Sequence, residues 1–253
     1  MCIRDRGYKG CVVSDWGAVN NRVKGLQAGL DLEMPYSGGY NDRQIVKAVQ
    51  EGRLDEAVLD EAVERVLNVV FAGEEQHRPE DISDKETDHK KAADIETECA
   101  VLLENNGILP LNTDRKVAYI GEFAEKPRYQ GGGSSHINPF RVVSALDAAG
   151  EKGRSVTYAK GFSNENDSMT EQELEKALRT AAEADVAVIF AGLPEIFESE
   201  GYDRTSMKLP KCQDRLIEEV LKVQPNVVVV LHNGSPVEPV SYTHLRAHET
   251  LRH

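Results

Sequence analysis

Residues 170–190 (TEQELEKALRTAAEADVAVIF) decide the fold of this chain, because they hold a helix and the strand that follows it. The first four residues form a capping-box pattern, in which a hydroxyl and a carboxylate satisfy backbone N–H groups at a helix start. Apolar residues then recur at helical spacing: Leu174, Ala177, Leu178, Ala181 and Ala182. Residues 185–190 predict a strand that is apolar throughout after Asp185, which is typical of a parallel strand covered on both faces.

Helices and strands alternate on both sides of this stretch. Residues 216–221 predict a further helix and residues 227–231 a further strand. Upstream, we predict strands over 116–121 and 156–158, with a helix over 140–149 between them. This order predicts a parallel sheet with helices on both faces. We therefore expect an open α/β sandwich domain over residues 92–240. Its first helix, over 92–104, is expected to turn Ile95, Cys99 and Leu102 inward.

A shorter strand-and-helix pattern precedes this domain, over residues 7–72. The apolar run 11–13 ends at Ser14-Asp15-Trp16, and residues 30–34 predict a second strand, stopped by Pro35. The alternating acids of that strand indicate either a half-exposed strand or acids aimed at a site. Residues 41–51 and 59–71 predict helices. Residues 73–91 are charged and bury almost nothing, so we predict a linker there.

Two carboxylates are candidates for chemistry. Asp15 follows a buried strand and precedes a large aromatic residue, a costly position for a charge. Glu200 lies in an acidic loop, residues 198–204, after the strand that ends near Phe190, where open α/β sheets bind ligands. Three acids within six residues should raise at least one pKa by repulsion. One ionised and one protonated carboxylate are what glycoside hydrolysis needs. The alternatives are a strand-end cap for Asp15 and a solvated acidic loop around Glu200.

Five segments of the chain resemble glycoside hydrolase family 3. They are residues 13–18 (VSDWGA), 28–35 (AGLDLEMP), 101–105 (VLLEN), 200–204 (EGYDR) and 232–237 (HNGSPV). The resemblance covers about residues 7–240, and its specificity lies in the order of the segments. It implies the end of a (β/α)₈ barrel over 7–72, followed by the α/β sandwich domain.

The resemblance also implies roles for single residues. Asp15 matches the nucleophile, Glu200 the general acid/base, and Trp16 a wall of the sugar subsite. Asn20 departs from the pattern, because relatives often carry His there. A barrel takes about 250 residues, so residues 7–72 correspond to about its last two strands. We expect the parent enzyme to be an active retaining β-glucosidase and this fragment to be inactive alone.

The glycine-rich residues 131–135 (GGGSS) follow a predicted strand and offer a possible phosphate cradle. Their spacing fits neither a dinucleotide-binding fingerprint nor a P-loop with its lysine. We prefer the reading that the resemblance implies, a sandwich-domain loop that faces the sugar cleft.

The composition of the chain argues against two classes of binding partner. The chain of 253 residues has a formal net charge of -13, which argues against nucleic acid and anionic membranes as partners. Its four cysteines are scattered and indicate free thiols in a cytoplasmic setting, with secretion left open. Residues 1–6 and 241–253 resemble translated adapter sequence. His244 and His248 stand four residues apart in that tail, but we predict no metal there and no cofactor.

Three alternatives stay open at this point. Within the same family they are a β-xylosidase and a β-N-acetylhexosaminidase. In another class it is a non-catalytic sugar-binding or flavodoxin-like α/β module. The expected partner of the enzyme is a small β-glucoside or oligosaccharide.

Overall fold

The computed structural model describes residues 7–78, 82–105 and 107–238. The chain divides into two compact units, Met1–Ile82 and Ser83–His253. The predicted head 1–6 and tail 241–253, with His244 and His248, lie outside the described residues.

In the described part of unit 1, residues 7–78 and 82, there are three helices: α1 (Arg22–Gln27), α2 (Tyr40–Gln50) and α3 (Glu56–Glu75). Their small core consists of Leu26, Ile45, Ala48, Leu54 and Ala62. The two predicted strands are reduced to extended segments joined by one parallel bridge, between Val13 and Leu32. The predicted helix over 41–51 is present with its bounds shifted by one residue.

Unit 2 is an α/β unit around a four-stranded parallel sheet. Its elements are α4 (Lys85–Cys99), β1 (Val117–Ile120), α5 (Ala145–Glu151), β2 (Val156–Ala159), α6 (Glu171–Ala182), β3 (Val186–Gly192), α7 (Lys211–Val223) and β4 (Val227–His232). The strand order is β2-β1-β3-β4, with all pairs parallel. Every residue of β3 and β4 is buried, as expected of strands covered on both faces. The predicted α/β sandwich is confirmed.

The capping box at the start of α6 is also confirmed. The Thr170 hydroxyl accepts a hydrogen bond from the Glu173 N–H at 3.2 Å, and the Glu173 carboxylate accepts one from the Thr170 N–H at 2.8 Å. A second box at Ser144 and Asp147 starts α5. The predicted helix over 140–149 therefore begins later than expected, at Ala145.

Helix α4 differs most from the prediction over 92–104. It begins at Lys85, because the Asp84 side chain accepts hydrogen bonds from the N–H groups of Glu86 and Thr87. It ends at Cys99, where the backbone becomes extended. The inward placement of Ile95, Cys99 and Leu102 is wrong: all three are exposed. Parts of the predicted linker 73–91 are helical as well, since α3 and α4 extend into it.

Candidate active site

Asp15 lies at the end of an extended segment that hydrogen bonds fix in place. The Ser14 N–H donates to the Leu32 carbonyl at 2.9 Å, and the Ser14 hydroxyl accepts from the Met34 N–H at 2.9 Å. One Asp15 carboxylate oxygen accepts a hydrogen bond from the Trp16 N–H at 2.7 Å. Both side chains are at the surface, and Trp16 is 70% exposed. The fold therefore presents a carboxylate and an indole side by side to solvent.

The alternating acids of residues 30–34 are structural. The Asp31 side chain is fully buried and accepts hydrogen bonds from the Val12 N–H at 2.8 Å and the Arg65 Nε at 3.0 Å. Glu33 lies 3.9 Å from the buried Arg22 guanidinium. Asp31 thus joins the two extended segments to α3, whereas Glu33 contacts Arg22 of α1 and accepts a hydrogen bond from the Asn41 side chain of α2 at 2.6 Å. The sequence alternatives did not include these structural roles.

Glu200 stands at the topological switch point of the sheet in unit 2. The order β2-β1-β3-β4 places this point between β1 and β3, where open α/β sheets bind ligands. The loops that follow these two strands meet there. The Ser134 N–H donates to the Glu200 Oε2 at 2.6 Å, and the Glu200 N–H donates to the Gly132 carbonyl at 3.3 Å. The glycine-rich loop and the acidic loop therefore form one site.

Gly133 allows the two loops to approach each other closely. Its φ is +88°, and a Cβ atom there would lie 2.6 Å from the Glu200 Cβ. A side chain is excluded on both grounds. The Ser134 N–H, one of the donors that a phosphate cradle would use, already serves the Glu200 carboxylate. The glycine-rich loop therefore binds a carboxylate of the protein itself, that of Glu200.

Glu198 makes a set of contacts that is separate from that of Glu200. Its Oε2 accepts hydrogen bonds from the Arg128 Nη1 at 2.5 Å and the Gly234 N–H at 2.9 Å. The Arg128 Nη2 also donates to the Glu198 carbonyl at 3.0 Å. Further along the same loop, the Arg204 guanidinium donates to the Ser235 hydroxyl at 2.8 Å.

The predicted rise of a pKa in this acidic loop is wrong for Glu198 and Glu200. The side chain and the backbone N–H of Ser134 hold the pKa of Glu200 below its ordinary value. Burial acts to raise the pKa of Glu198, but hydrogen bonds from Ser235 and Gly234 and the Arg128 charge together lower it. The physical reason is that each carboxylate has its own hydrogen-bond donors, which stabilise its charged form.

Two cavities of unit 2 are lined in part by residues of the acidic loop. One of about 450 Å³ is lined by Gly132, Ser199, Glu200 and Asn233 among others. A second of about 650 Å³ is lined by Tyr129, His136, Glu195 and Tyr202 among others. Aromatic faces combined with a few polar groups are the usual lining of small-molecule sites.

The predicted site residues fall on both units. Asp15 and Trp16 are neighbours on unit 1, whereas Glu200 lies on unit 2. Their combination into one active site stays a prediction. Sequence reasoning missed Arg128, which stands 70 positions before Glu198 without any local pattern to mark it.

Over 7–78, 82–105 and 107–238, no cluster of His, Cys, Asp or Glu side chains could hold a metal ion. Within those ranges no helix combines the length and the apolar character that a membrane crossing requires. Cys11, Cys99 and Cys212 are free thiols.

Unit 2 is a parallel α/β domain with a carboxylate at its switch point, the place where open α/β sheets bind ligands. Comparisons with known proteins show the family to which it belongs. Residues 100–248 match the glycosyl hydrolase family 3 C-terminal domain. The chain is 50% identical over 235 residues to thermostable beta-glucosidase B of Acetivibrio thermocellus, covering 91% of this chain and 31% of that protein. It is 41% identical to an exo-alpha-(1->6)-L-arabinopyranosidase of Bifidobacterium breve, covering 93% of this chain and 32% of that protein.

A solved structure is similar over almost the whole chain. It is the GH3 beta-glucosidase of Bifidobacterium adolescentis, with a TM-score of 0.87 at 41% identity, covering 93% of this chain and 35% of that one. The chain belongs to glycosyl hydrolase family 3. It spans about a third of the length of the relatives it matches.

Proposed function

We propose that this chain is part of a retaining β-glucosidase that removes terminal non-reducing β-D-glucosyl residues. The observation that carries the proposal is the placement of Glu200 at the switch point, where two loops hold its carboxylate beside a cavity. The name of the relative at 50% identity supports the substrate class. In this proposal residues 7–72 are the last part of a (β/α)₈ barrel.

The proposed first step uses both carboxylates. The ionised Asp15 attacks the anomeric carbon, and Glu200 gives its proton to the glycosidic oxygen, so that a covalent glycosyl-enzyme forms and the alcohol leaves. Trp16 offers a flat, exposed indole face beside Asp15, against which a pyranose ring could pack.

In the second step Glu200 acts as a base. It removes a proton from water, which attacks the anomeric carbon and releases Asp15 and the sugar. The lowered pKa of Glu200 favours this carboxylate form. The first step needs the protonated form, which a bound sugar would favour by excluding water from the carboxylate.

The experiment is a chimaera in which residues 7–238 replace the aligned part of the Acetivibrio thermocellus enzyme. We expect it to hydrolyse an aryl β-D-glucoside, Asp15→Asn to abolish turnover, and azide to restore part of the activity of Glu200→Ala. Glu175→Gln, an exposed change on α6, is the matched control. Full turnover by Asp15→Asn or Glu200→Ala would contradict the proposal and would favour the alternative function, a non-catalytic sugar-binding module.

The isolated chain is expected to be inactive, because about two strands cannot complete a barrel of eight. Clear hydrolysis of an aryl β-glucoside by the purified chain would contradict this part of the proposal. The cytoplasmic location inferred from the cysteines also stays a prediction.

The arabinopyranosidase at 41% identity gives a second candidate substrate, an α-L-arabinopyranoside. Aryl β-D-glucoside, β-D-xyloside, β-D-N-acetylglucosaminide and α-L-arabinopyranoside should therefore be compared on the chimaera by kcat/KM. The highest value on the glucoside supports the proposal, and the highest value on any other sugar replaces it.

A further inference from the structure

Arg128 connects the loops that follow three of the four strands of unit 2. It lies after β1, and its guanidinium donates to the Leu193 carbonyl and to both the carboxylate and the carbonyl of Glu198, all in the loop after β3. Glu198 continues the connection, since its carboxylate accepts from the Gly234 N–H after β4. One planar cation thus contacts the segment after β3 at two backbone carbonyls and one side chain, and two of these three contacts are to Glu198, the first residue of the acidic loop.

The contact is well shielded from solvent. The side chains of Arg128 and Glu198 are only 13% and 16% exposed. A charge-assisted hydrogen bond in such a place is stronger than a surface ion pair and is rigid because the guanidinium is planar. A lysine could supply the charge but not the forked geometry.

Glu200 has weaker connections of its own. It lies two residues beyond Glu198, and the hydrogen bonds described for its side chain come from one residue, Ser134, through its backbone N–H and its side chain. That partner belongs to a glycine-rich loop. The contact therefore depends on how the acidic loop is held.

We propose that Arg128 and Glu198 form a clamp that positions Glu200 against Ser134. This inference rests on the proposed role of Glu200 in catalysis. Arg128 is a positioning residue in this scheme, because it acts through the loop and not on the sugar.

The test is a carbon-13 NMR titration of the Glu200 carboxylate in the full 253-residue chain, with the signal assigned by its loss in Glu200→Gln. The variants are Arg128→Lys, which keeps the charge, and Glu198→Ala, which removes the clamp's acceptor. Arg179→Lys, an exposed arginine on α6, is the control.

The clamp and a simple charge effect predict opposite results for Glu198→Ala. If the clamp positions Glu200, release of the loop weakens the Ser134 contact, and the pKa of Glu200 rises toward its ordinary value of 4.5. If Glu198 acts only as a neighbouring negative charge, its removal lowers the pKa of Glu200. A rise in both Arg128→Lys and Glu198→Ala supports the proposal. A fall in Glu198→Ala, or no change in Arg128→Lys, overturns it.

Amide hydrogen exchange on the same samples gives a second measure and shows whether the variants are folded. In Arg128→Lys we expect exchange of residues 194–204 to quicken by about tenfold or more, with α6 and α7 unchanged. Equal exchange in this variant and in Arg179→Lys would also overturn the clamp.

These results are separable from the catalytic proposal. Full activity of the Glu200→Ala chimaera would remove the catalytic role of Glu200 and leave the titration result as it is. Conversely, an unchanged titration with an inactive Glu200→Ala chimaera would remove the clamp alone.

Discussion

Glu200 is held by unit 2 as a carboxylate rather than as an acid. Hydrogen bonds from Ser134 stabilise the charged form and lower its pKa. In the proposed mechanism the proton needed for the first step is therefore taken up only when the site changes, for example when a sugar displaces water. The resting structure favours the second half of the reaction.

Replacement of Gly133 by alanine tests how tightly this residue is packed. A Cβ atom would lie 2.6 Å from the Glu200 Cβ at a φ of +88°, so we expect a loss of about 1–3 kcal/mol in the free energy of unfolding. Urea unfolding followed by circular dichroism measures it. Gly150→Ala, in α5 with open space around it, is the control and should be neutral or slightly stabilising. Equal stability of the two variants would contradict the close approach.

Single residues also show what the sequence could not predict. Asp15, Trp16 and Glu200 were marked by local patterns, a strand end and an acidic loop. Arg128 was not, because its partners Leu193 and Glu198 are distant in sequence and only the folded sheet brings them together. The predicted rise of at least one pKa in the acidic loop fails for Glu198 and Glu200 for the same reason, since the partner of each acid depends on tertiary structure.

At the level of elements, the start of α6 was the most predictable feature. Thr170 and Glu173 are close in sequence, and their reciprocal hydrogen bonds involve only each other.

Helix α4 shows the opposite case, a helix that the sequence did not predict correctly. Its charged composition predicted a linker over 73–91, although Asp84 caps a helix within it. The composition of a segment does not reveal a single residue that caps a helix.

Thr170→Ala measures the contribution of this cap to the stability of unit 2. We expect a loss of about 1 kcal/mol, because the Glu173 N–H loses its acceptor. Thr180→Ala, further along α6, should have no such cost, since alanine favours the helix interior. The difference between their urea midpoints is the measurement. Equal losses in both variants would show that the box contributes nothing.

Asp31→Ala tests the buried ion pair that joins the elements of unit 1. It leaves the Arg65 guanidinium and the Val12 N–H without their acceptor, and breaking a buried pair costs about 3–5 kcal/mol. Amide exchange of α3 should then rise strongly. Asp60→Asn, an exposed change on the same helix, is the control. Unchanged protection of α3 in Asp31→Ala would contradict the structural role given to this acid.

For the whole molecule, the alternation of helices and strands predicted the parallel sheet of unit 2 but not the order of its strands. That order depends on which helices cover which face, and no local pattern records it. The meeting of the loops after β1 and β3, on which the site depends, follows from this order. The sequence therefore predicted the two loops of the site separately and not their contact.

Acid should weaken unit 2 through its buried carboxylates. Burial acts to raise the pKa of Glu122, but hydrogen bonds from Asn164 and Lys126 and the Lys160 charge lower it overall. The pKa of Glu198 is lowered in the same way, against the effect of its burial. A lowered folded pKa stabilises the fold above the unfolded value of 4.5, and this stability is lost as pH falls through the folded value. We expect the urea midpoint to fall between about pH 5 and about pH 3.

The double variant Glu122→Gln with Glu198→Gln identifies the source of this loss. It should be less stable at pH 7 and should show a flatter dependence on pH, because its amides do not titrate. Glu175→Gln, with an exposed side chain on α6, should keep the original slope. The same slope in all three proteins would assign the acid sensitivity to other groups.

The exposure of Trp16 has a practical consequence. The chain contains a single tryptophan, and it stands beside the proposed nucleophile with 70% of its surface in water. Its tryptophan fluorescence therefore comes entirely from that position. In a chimaera whose other tryptophans are replaced, the wavelength of maximum emission should shift when a bound saccharide excludes water from the indole. Sugar binding could then be followed without a label and without turnover.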